Sequence, residues 1–118
     1  MTGYWEAAAD GRVFGYHGAT SCNSTRATST VPVVGIAGTK TGYRTVARDG
    51  SIAACRASTL GSMAAKSLAQ PVVGMTATPT GKGYWLVASD GGIFSFGDAR
   101  YYGSAVRTGA RVVGIAHN

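Results

Sequence analysis

The sequence predicts an all-β fold built from three imperfect copies of one repeat, and two observations support this prediction. Glycine accounts for 18 of the 118 residues, only 14% of the residues are charged, and 45% are hydrophobic. Such a composition favours short strands joined by tight turns around an apolar core. The same short motifs also return in the same order at near-constant spacing, which is typical of repeat architectures.

The most regular motif is a Val-Val-Gly segment that begins at Val33, Val72 and Val112. These valines stand 39 and 40 residues apart, so one repeat is about 40 residues long. The spacing predicts a single domain of three repeats. They occupy approximately residues 1–41, 42–81 and 82–118.

Each repeat also contains a predicted hairpin. A Gly-Tyr motif with Trp or Arg in third place starts at Gly3, Gly42 and Gly83, and an Asp-Gly pair follows at the same distance each time. A short apolar stretch comes after every Asp-Gly pair. An Asp-Gly pair between two apolar runs predicts a tight turn, because glycine adopts a positive φ without strain.

A fourth, weaker motif completes the predicted unit. It spans residues 19–24, 57–62 and 99–104, and it predicts a short outer strand. Each repeat would then contain four strands: a Val-Val-Gly strand, a Tyr strand, an apolar strand and an outer strand.

The inner strands have a composition of their own. Residues 85–88 and 112–116 are apolar without alternation, which predicts strands that are covered on both faces. The Val-Val-Gly strands consist of small residues, which suit a position where several sheets converge on a crowded axis. Both features are typical of the inner strands of β-propeller blades.

The stretch from Pro71 to Ser104 resembles the tandem repeats of secreted and cell-wall-associated actinobacterial proteins. The third copy matches that pattern almost residue by residue, whereas the second departs from it at Arg44 and Ala53. The resemblance implies propeller-type blades and a secreted or cell-surface location. It also implies an association with domains that process peptidoglycan or polysaccharide.

Three blades are fewer than the four to eight that typically close a propeller. An open stack exposes two sheet faces and unpaired strand edges, which favour association. Two chains would supply six blades and close with two-fold symmetry, so we expect a homodimer or a partner chain that completes the propeller. A β-trefoil is the alternative, because three units of four strands also describe that fold, which closes as a monomer.

The acidic residues give no basis for catalysis. Asp10, Asp49 and Asp90 are repeated turn residues, which leaves Glu6 and Asp98 at unrelated positions. General acid–base catalysis requires titratable groups held on one substrate. The sequence also contains no plausible Ser-His-Asp set, no phosphate-binding loop and no zinc-ligand spacing. We therefore predict no enzyme activity, no cofactor and no metal site.

Aromatic side chains at recurring positions favour binding instead, since sugar rings stack on Trp and Tyr while Asp and Arg bond their hydroxyls. The candidate ligand-binding residues are Tyr4, Trp5, Tyr84, Trp85, Asp98, Arg100, Tyr101 and Tyr102. We expect a non-enzymatic, lectin-like module that recognises cell-wall or surface polysaccharide. Two alternatives stay open. The recurring tryptophans are core residues between repeats, or the chain is a structural adaptor that docks another protein subunit.

The charge balance is basic. Eleven Lys and Arg against five Asp and Glu give a net charge of +6, which favours loose association with anionic polymers. The basic residues are scattered and form no nucleic-acid-binding arm, so nucleic acid is not an expected partner. In the second repeat, Arg44 and Arg48 would share one strand face, as a degenerate sugar site or as a contact with an acidic partner.

Two cysteines, Cys22 and Cys55, fall at different positions of different repeats. A disulfide between the first two repeats and two buried free thiols are both open. No apolar run approaches the roughly 20 residues of a membrane span. The first residues lack the basic and apolar regions of a signal peptide. We expect a secreted or cell-surface protein without a membrane span and without a signal peptide in this sequence.

Overall fold

The computed structural model describes residues 3–22, 31–63, 66 and 68–118. Within these ranges the chain forms eight β-strands and one short 3-10 turn at Val106–Thr108. The strands are β1 (Tyr4–Ala7), β2 (Val13–Tyr16), β3 (Val33–Gly38), β4 (Tyr43–Ala47), β5 (Ile52–Cys55), β6 (Val72–Ala77), β7 (Gly83–Ala88) and β8 (Ile93–Gly97). The predicted all-β class is confirmed.

The described strands form three small antiparallel sheets, and the second and third sheets cross the predicted repeat boundaries, because the Val-Val-Gly strand of one repeat pairs with the Tyr strand of the next. The first sheet pairs β1 with β2, the second has the order β3-β4-β5, and the third has the order β6-β7-β8. The Tyr strand is central in the second and third sheets, between the Val-Val-Gly strand and the apolar strand. The three sheets therefore repeat one local pattern.

The predicted hairpins are present in all three repeats. Gly11, Gly50 and Gly91 have φ values of 96°, 86° and 93°, which only glycine adopts without strain. The aspartate before each glycine accepts a hydrogen bond from the backbone N–H two residues further on. This Asx-type bond fixes the turn, so the turn role predicted for these aspartates is confirmed.

The main core lies between the second and third sheets. Its buried members are Val46, Val72, Met75, Tyr84 and Leu86. All residues of β7 except Trp85 are buried, which confirms the prediction of a strand covered on both faces. A second cluster of Val13, Tyr43 and Cys55 lies between the first and second sheets, with Trp5 and Ala7 packed against it.

The Val-Val-Gly strands of successive sheets lie side by side at a glycine contact. A Cβ atom added to Gly35 would lie 3.4 Å from the Cα atom of Gly74. A Cβ atom added to Gly74 would lie 3.8 Å from the Cα atom of Gly114. Backbone therefore meets backbone along a row of three glycines, as the small residues of these strands predict.

The predicted outer strand is wrong for the described residues, because residues 57–62 and 99–104 join no sheet. Of the first copy, residues 23 and 24 lie outside the described residues. The reason is visible at the end of the preceding strand. A left-handed residue stands there in every repeat: His17 directly after β2 with a φ of 57°, Arg56 directly after β5 with a φ of 50°, and Gly97 as the last residue of β8 with a φ of 66°. A left-handed residue turns the chain away from the sheet and stops the ladder.

The predicted strand at residues 112–116 is also wrong, and so is its predicted burial on both faces. The C-terminal segment, residues 111–117, joins no sheet, and Val113 is 80% exposed. Val112 donates its N–H to the Ser89 carbonyl at 2.7 Å, as Val33 and Val72 do to the equivalent carbonyls. The segment thus takes the position of β3 and β6, but no described Tyr strand lies beside it.

One side-chain hydrogen bond recurs in every repeat. The indole N–H groups of Trp5 and Trp85 donate to the carbonyls of Thr20 and Arg100, at 3.0 and 2.6 Å. In the second repeat Arg44 replaces the tryptophan, and its Nε–H donates to the Ser58 carbonyl at 2.7 Å. Arg44 also donates from Nη2 to the Gly81 carbonyl at 3.0 Å and is only 2% exposed. The Arg44 guanidinium therefore makes the hydrogen bond that the indole N–H makes in the other two repeats.

The tryptophan or arginine at this position also contacts the tyrosine of the next sheet. The ring of Tyr43 lies 5.3 Å from that of Trp5, and the Arg44 guanidinium lies 5.0 Å from the centre of the Tyr84 ring. Both tyrosine hydroxyls accept a backbone N–H from the preceding repeat, Tyr43 from Cys22 at 3.2 Å and Tyr84 from Leu60 at 3.1 Å. Each sheet is thus joined to the next by an equivalent contact.

Cys22 and Cys55 form a disulfide with a Cα–Cα distance of 5.7 Å. It links the loop after β2 to the end of β5, where Cys55 is buried in the cluster between the first two sheets. The bond therefore reinforces the junction of the first and second repeats.

Arg44 provides a test of this sheet-to-sheet contact. We expect Arg44→Ala to lower the free energy of unfolding by about 3 kcal/mol, because two backbone carbonyls lose a charged hydrogen-bond donor and the buried space of the Arg44 side chain is left unfilled. Arg44→Trp restores the side chain of the other repeats, so we expect a smaller loss. Urea unfolding of both variants measures the difference. Equal losses would show that the side chain at this position does not act as we describe.

The disulfide provides a second test. It closes a loop with a sequence separation of 33 residues. We expect the double variant Cys22→Ser and Cys55→Ser to be less stable by about 3–4 kcal/mol, from the loop entropy regained by the unfolded chain. Urea unfolding of the wild type with and without reductant is the matched measurement. Unchanged stability in both comparisons would argue against the bond.

Candidate functional site

The structure distributes the predicted ligand-binding residues over several places. Tyr84 is fully buried in the main core, and its hydroxyl donates to the Gly61 carbonyl, so no part of its ring is available to a ligand. Trp5 is partly buried against Tyr43, as the alternative interpretation of the tryptophans as core residues expects. Tyr4 lies on the first sheet, is 62% exposed and stacks on Tyr16.

Trp85 and Tyr102 are brought together in one cleft of about 570 Å³ beside the third sheet. We call it the aromatic cleft. It is lined by Thr76, Trp85, Ile93, Tyr102, Gly103, Ile115, Ala116, His117 and Asn118. The C-terminal segment therefore forms one wall and β7 and β8 form another, while Tyr102 stands at the rim with 81% of its surface exposed.

Asp98 acts within the fold. The hydroxyls of Thr80 and Thr78 donate to its carboxylate, the latter at 2.7 Å. These hydrogen bonds hold the pKa of the Asp98 carboxyl below its ordinary value. The carboxylate thereby ties the loop between β6 and β7 to the end of β8.

Arg100 and Tyr101 lie in the segment that follows β8. The backbone carbonyl of Arg100 accepts the Trp85 indole N–H, and its side chain is exposed. Tyr101 is 60% exposed and does not line the aromatic cleft. Of the eight predicted residues, only Trp85 and Tyr102 therefore share a concave surface.

A second concave surface lies where the inner strands begin. This groove of about 620 Å³, the basic groove, follows the starts of β3, β6 and the C-terminal segment. Its polar side chains are Arg48, Gln70, Ser89, Asp90 and Arg111, and its apolar lining includes prolines and valines of the inner strands. Both arginines are exposed, so two basic residues from different repeats border one groove.

Arg44 and Arg48, for which the sequence predicts a shared strand face, lie in different surroundings. Arg44 is inside the core, whereas Arg48 lies just after the end of β4, is exposed and borders the basic groove. No pattern in the sequence indicates that Arg48 and Arg111 line one groove, because they occupy different positions of different repeats. Only the side-by-side packing of the inner strands brings them to one groove.

No group of three or more His, Cys, Asp or Glu residues within the described ranges is arranged to hold a metal ion. No helix in the same ranges is long and apolar enough to cross a membrane. In comparisons with known proteins, no family model, no curated protein and no solved structure matches the chain.

The carboxylate of Asp98 gives a pH-dependent prediction. Because its pKa is lowered in the folded state, its stabilisation is present above the unfolded value of about 4 and is lost as the pH falls through the folded pKa. We expect Asp98→Asn to lower the Tm at pH 7 and the difference from wild type to shrink below about pH 4. Thermal unfolding at pH 7 and pH 2.5 measures this. A difference that is unchanged at pH 2.5 would contradict it.

Proposed function

We propose that the chain is a non-enzymatic binding module for an anionic polysaccharide of the cell wall or cell surface. The observation that carries the proposal is the basic groove, where Arg48 and Arg111 stand together with amide, hydroxyl and carboxylate side chains. The fork of a guanidinium matches the oxygens of a phosphate or carboxylate. The neighbouring Gln70, Ser89 and Asp90 offer hydrogen bonds to sugar hydroxyls.

The electrostatics of the whole chain support this choice. A net charge of +6 raises the local concentration of an anionic polymer around the protein. The groove also has an apolar lining that includes Val34 and Val73, which suits the C–H faces of sugar rings. A charged, open groove of this kind fits an extended polymer better than a small enclosed ligand.

We propose a secreted or cell-surface location and propeller-type blades for the same protein. The Cys22–Cys55 disulfide supports the location, because such bonds persist in oxidising compartments. The row of Gly35, Gly74 and Gly114 supports the architecture, because it brings the inner strands of successive sheets to one line, as blades around an axis require.

The groove is tested by removing its two arginines. We expect the double variant Arg48→Ala and Arg111→Ala to weaken binding to polyglycerol phosphate by about tenfold or more per arginine. A charged hydrogen bond contributes about 1.5–3 kcal/mol, and about 1.4 kcal/mol corresponds to tenfold. Affinity electrophoresis in gels that contain polyglycerol phosphate or uncharged dextran measures the change.

The matched control is the double variant Arg100→Ala and Arg107→Ala. It loses the same charge from exposed positions outside the groove, so its retention should fall only by the general effect of net charge. Equal losses in the two double variants would show that the groove is not the binding site. An absence of retention of the wild type in every charged gel would refute the anionic ligand.

A structural adaptor is the second candidate function, and the C-terminal segment favours it. This segment lies where a sheet would have its Val-Val-Gly strand, yet no described strand pairs with it. An unpaired segment of this type offers its backbone to a strand of another chain.

A further inference from the structure

The two ends of the stack of sheets carry the two halves of one contact. At one end, the first sheet exposes a face made by Tyr4 and Glu6 of β1 and by their cross-strand partners Tyr16 and Phe14. We call it the leading face. Its equivalents in the third sheet are Tyr84, Leu86, Phe96 and Phe94, which pack against the second sheet. The leading face is therefore of the type that packs on a preceding sheet.

At the other end, Trp85 is not covered by a described tyrosine, although its equivalents in the other repeats are. Trp5 is covered by Tyr43, and Arg44 is covered by Tyr84. No described tyrosine of a following Tyr strand covers Trp85, and the aromatic cleft lies at that place. A tyrosine placed on its sheet as Tyr4 is would fit this cleft, because the chain already makes the equivalent contact twice elsewhere.

The strand edges complement each other in the same way. In the second and third sheets the Tyr strand pairs with a Val-Val-Gly strand, but no described strand pairs with the outer edge of β1. The C-terminal segment has the position of a Val-Val-Gly strand, but no described Tyr strand pairs with it. The pairs Gly35 with Val46 and Gly74 with Val87 set the register. By equivalence, that register places Gly114 opposite Ala7.

We propose that the chain binds a second copy of itself end to end. The C-terminal segment of one copy adds as an antiparallel strand to β1 of the other, with Gly114 opposite Ala7 and Ala116 opposite Trp5. Tyr4 of the second copy then packs on Trp85 of the first. Its hydroxyl accepts the backbone N–H of Tyr102, the residue equivalent to Cys22 and Leu60.

A second copy fits the aromatic cleft better than a sugar does. The contact continues one that the chain already makes twice, with a tyrosine on a tryptophan or arginine and with the same strand register. Strand addition also satisfies the backbone N–H and C=O groups of both unpaired edges, which a sugar does not. Two such contacts between two copies would pair both unpaired edges of each copy.

Two variants with one blocked end each test the geometry. We expect light scattering on a size-exclusion column to give the wild type twice the monomer mass of 12.0 kDa. Tyr4→Glu blocks the leading face, and Ile115→Glu blocks the aromatic cleft. Each variant alone should be monomeric or dissociate at least tenfold more readily. An equimolar mixture should recover a dimer, because one unblocked contact remains between the two variants.

The mixture separates end-to-end binding from a dimer that joins two like ends. Tyr101→Glu is the matched control, since Tyr101 is exposed but outside both surfaces, and it should leave the dimer intact. Circular dichroism melts establish that each variant folds. A mixture that stays monomeric, or a dimer that survives both single variants, would overturn the proposal.

A monomeric wild type at about 100 μM would also overturn it. Suppose that soluble polyglycerol phosphate changed the Trp fluorescence of that monomer but did not change the fluorescence of the Trp85→Phe variant. The aromatic cleft would then be a polysaccharide-binding site. The basic groove shares no residue with the leading face or the aromatic cleft. Retention of the folded, end-blocked variants in charged gels therefore tests the polysaccharide proposal independently.

Discussion

The structure depends on one contact between neighbouring sheets, in which the tyrosine of one repeat packs on the tryptophan or arginine of the repeat before it. That Trp or Arg also donates a hydrogen bond to the loop of its own repeat, so one side chain fixes the loop and supports the next sheet. A guanidinium can replace the indole because both groups are planar, carry N–H donors and stack on an aromatic ring. The contact therefore survives the exchange of Trp5 for Arg44 between the first and second repeats.

A contact of this kind has a direction, and a linear stack of sheets leaves one half of it at each end. Tyr4 lacks a described Trp or Arg beneath it, and Trp85 lacks a described tyrosine above it. The exposed ends are thus a consequence of how the sheets are joined, and the proposed self-association would cover both of them. The basic groove follows the starts of the inner strands instead, so the proposed polymer binding and the proposed self-association involve different side chains.

The left-handed residue at the end of each apolar strand decides the shape of the repeat. His17, Arg56 and Gly97 all adopt this conformation, although only glycine does so without cost. Arg56 is held by its side chain, which donates to the carbonyls of Thr41 and Thr20. Because the chain turns at this point, the following segment becomes a loop that the Trp or Arg side chain can reach. The repeat therefore has at most three strands in the described residues.

The sequence by itself determined the all-β class, the repeat length, the three hairpins and the turn role of their aspartates. Each of these follows from residues close together in the chain, such as Asp49 and Gly50. The tertiary structure alone decided that Arg44 is buried, that the described residues form no outer strand, and that Arg48 and Arg111 share a groove. Burial of Arg44 depends on hydrogen bonds to carbonyls that lie 14 and 37 residues away in the sequence. The left-handed conformation of His17 and Arg56 is not predictable from the sequence, because glycine is the residue type that indicates it. The groove exists only because inner strands from different repeats pack side by side, a relation that no local pattern encodes.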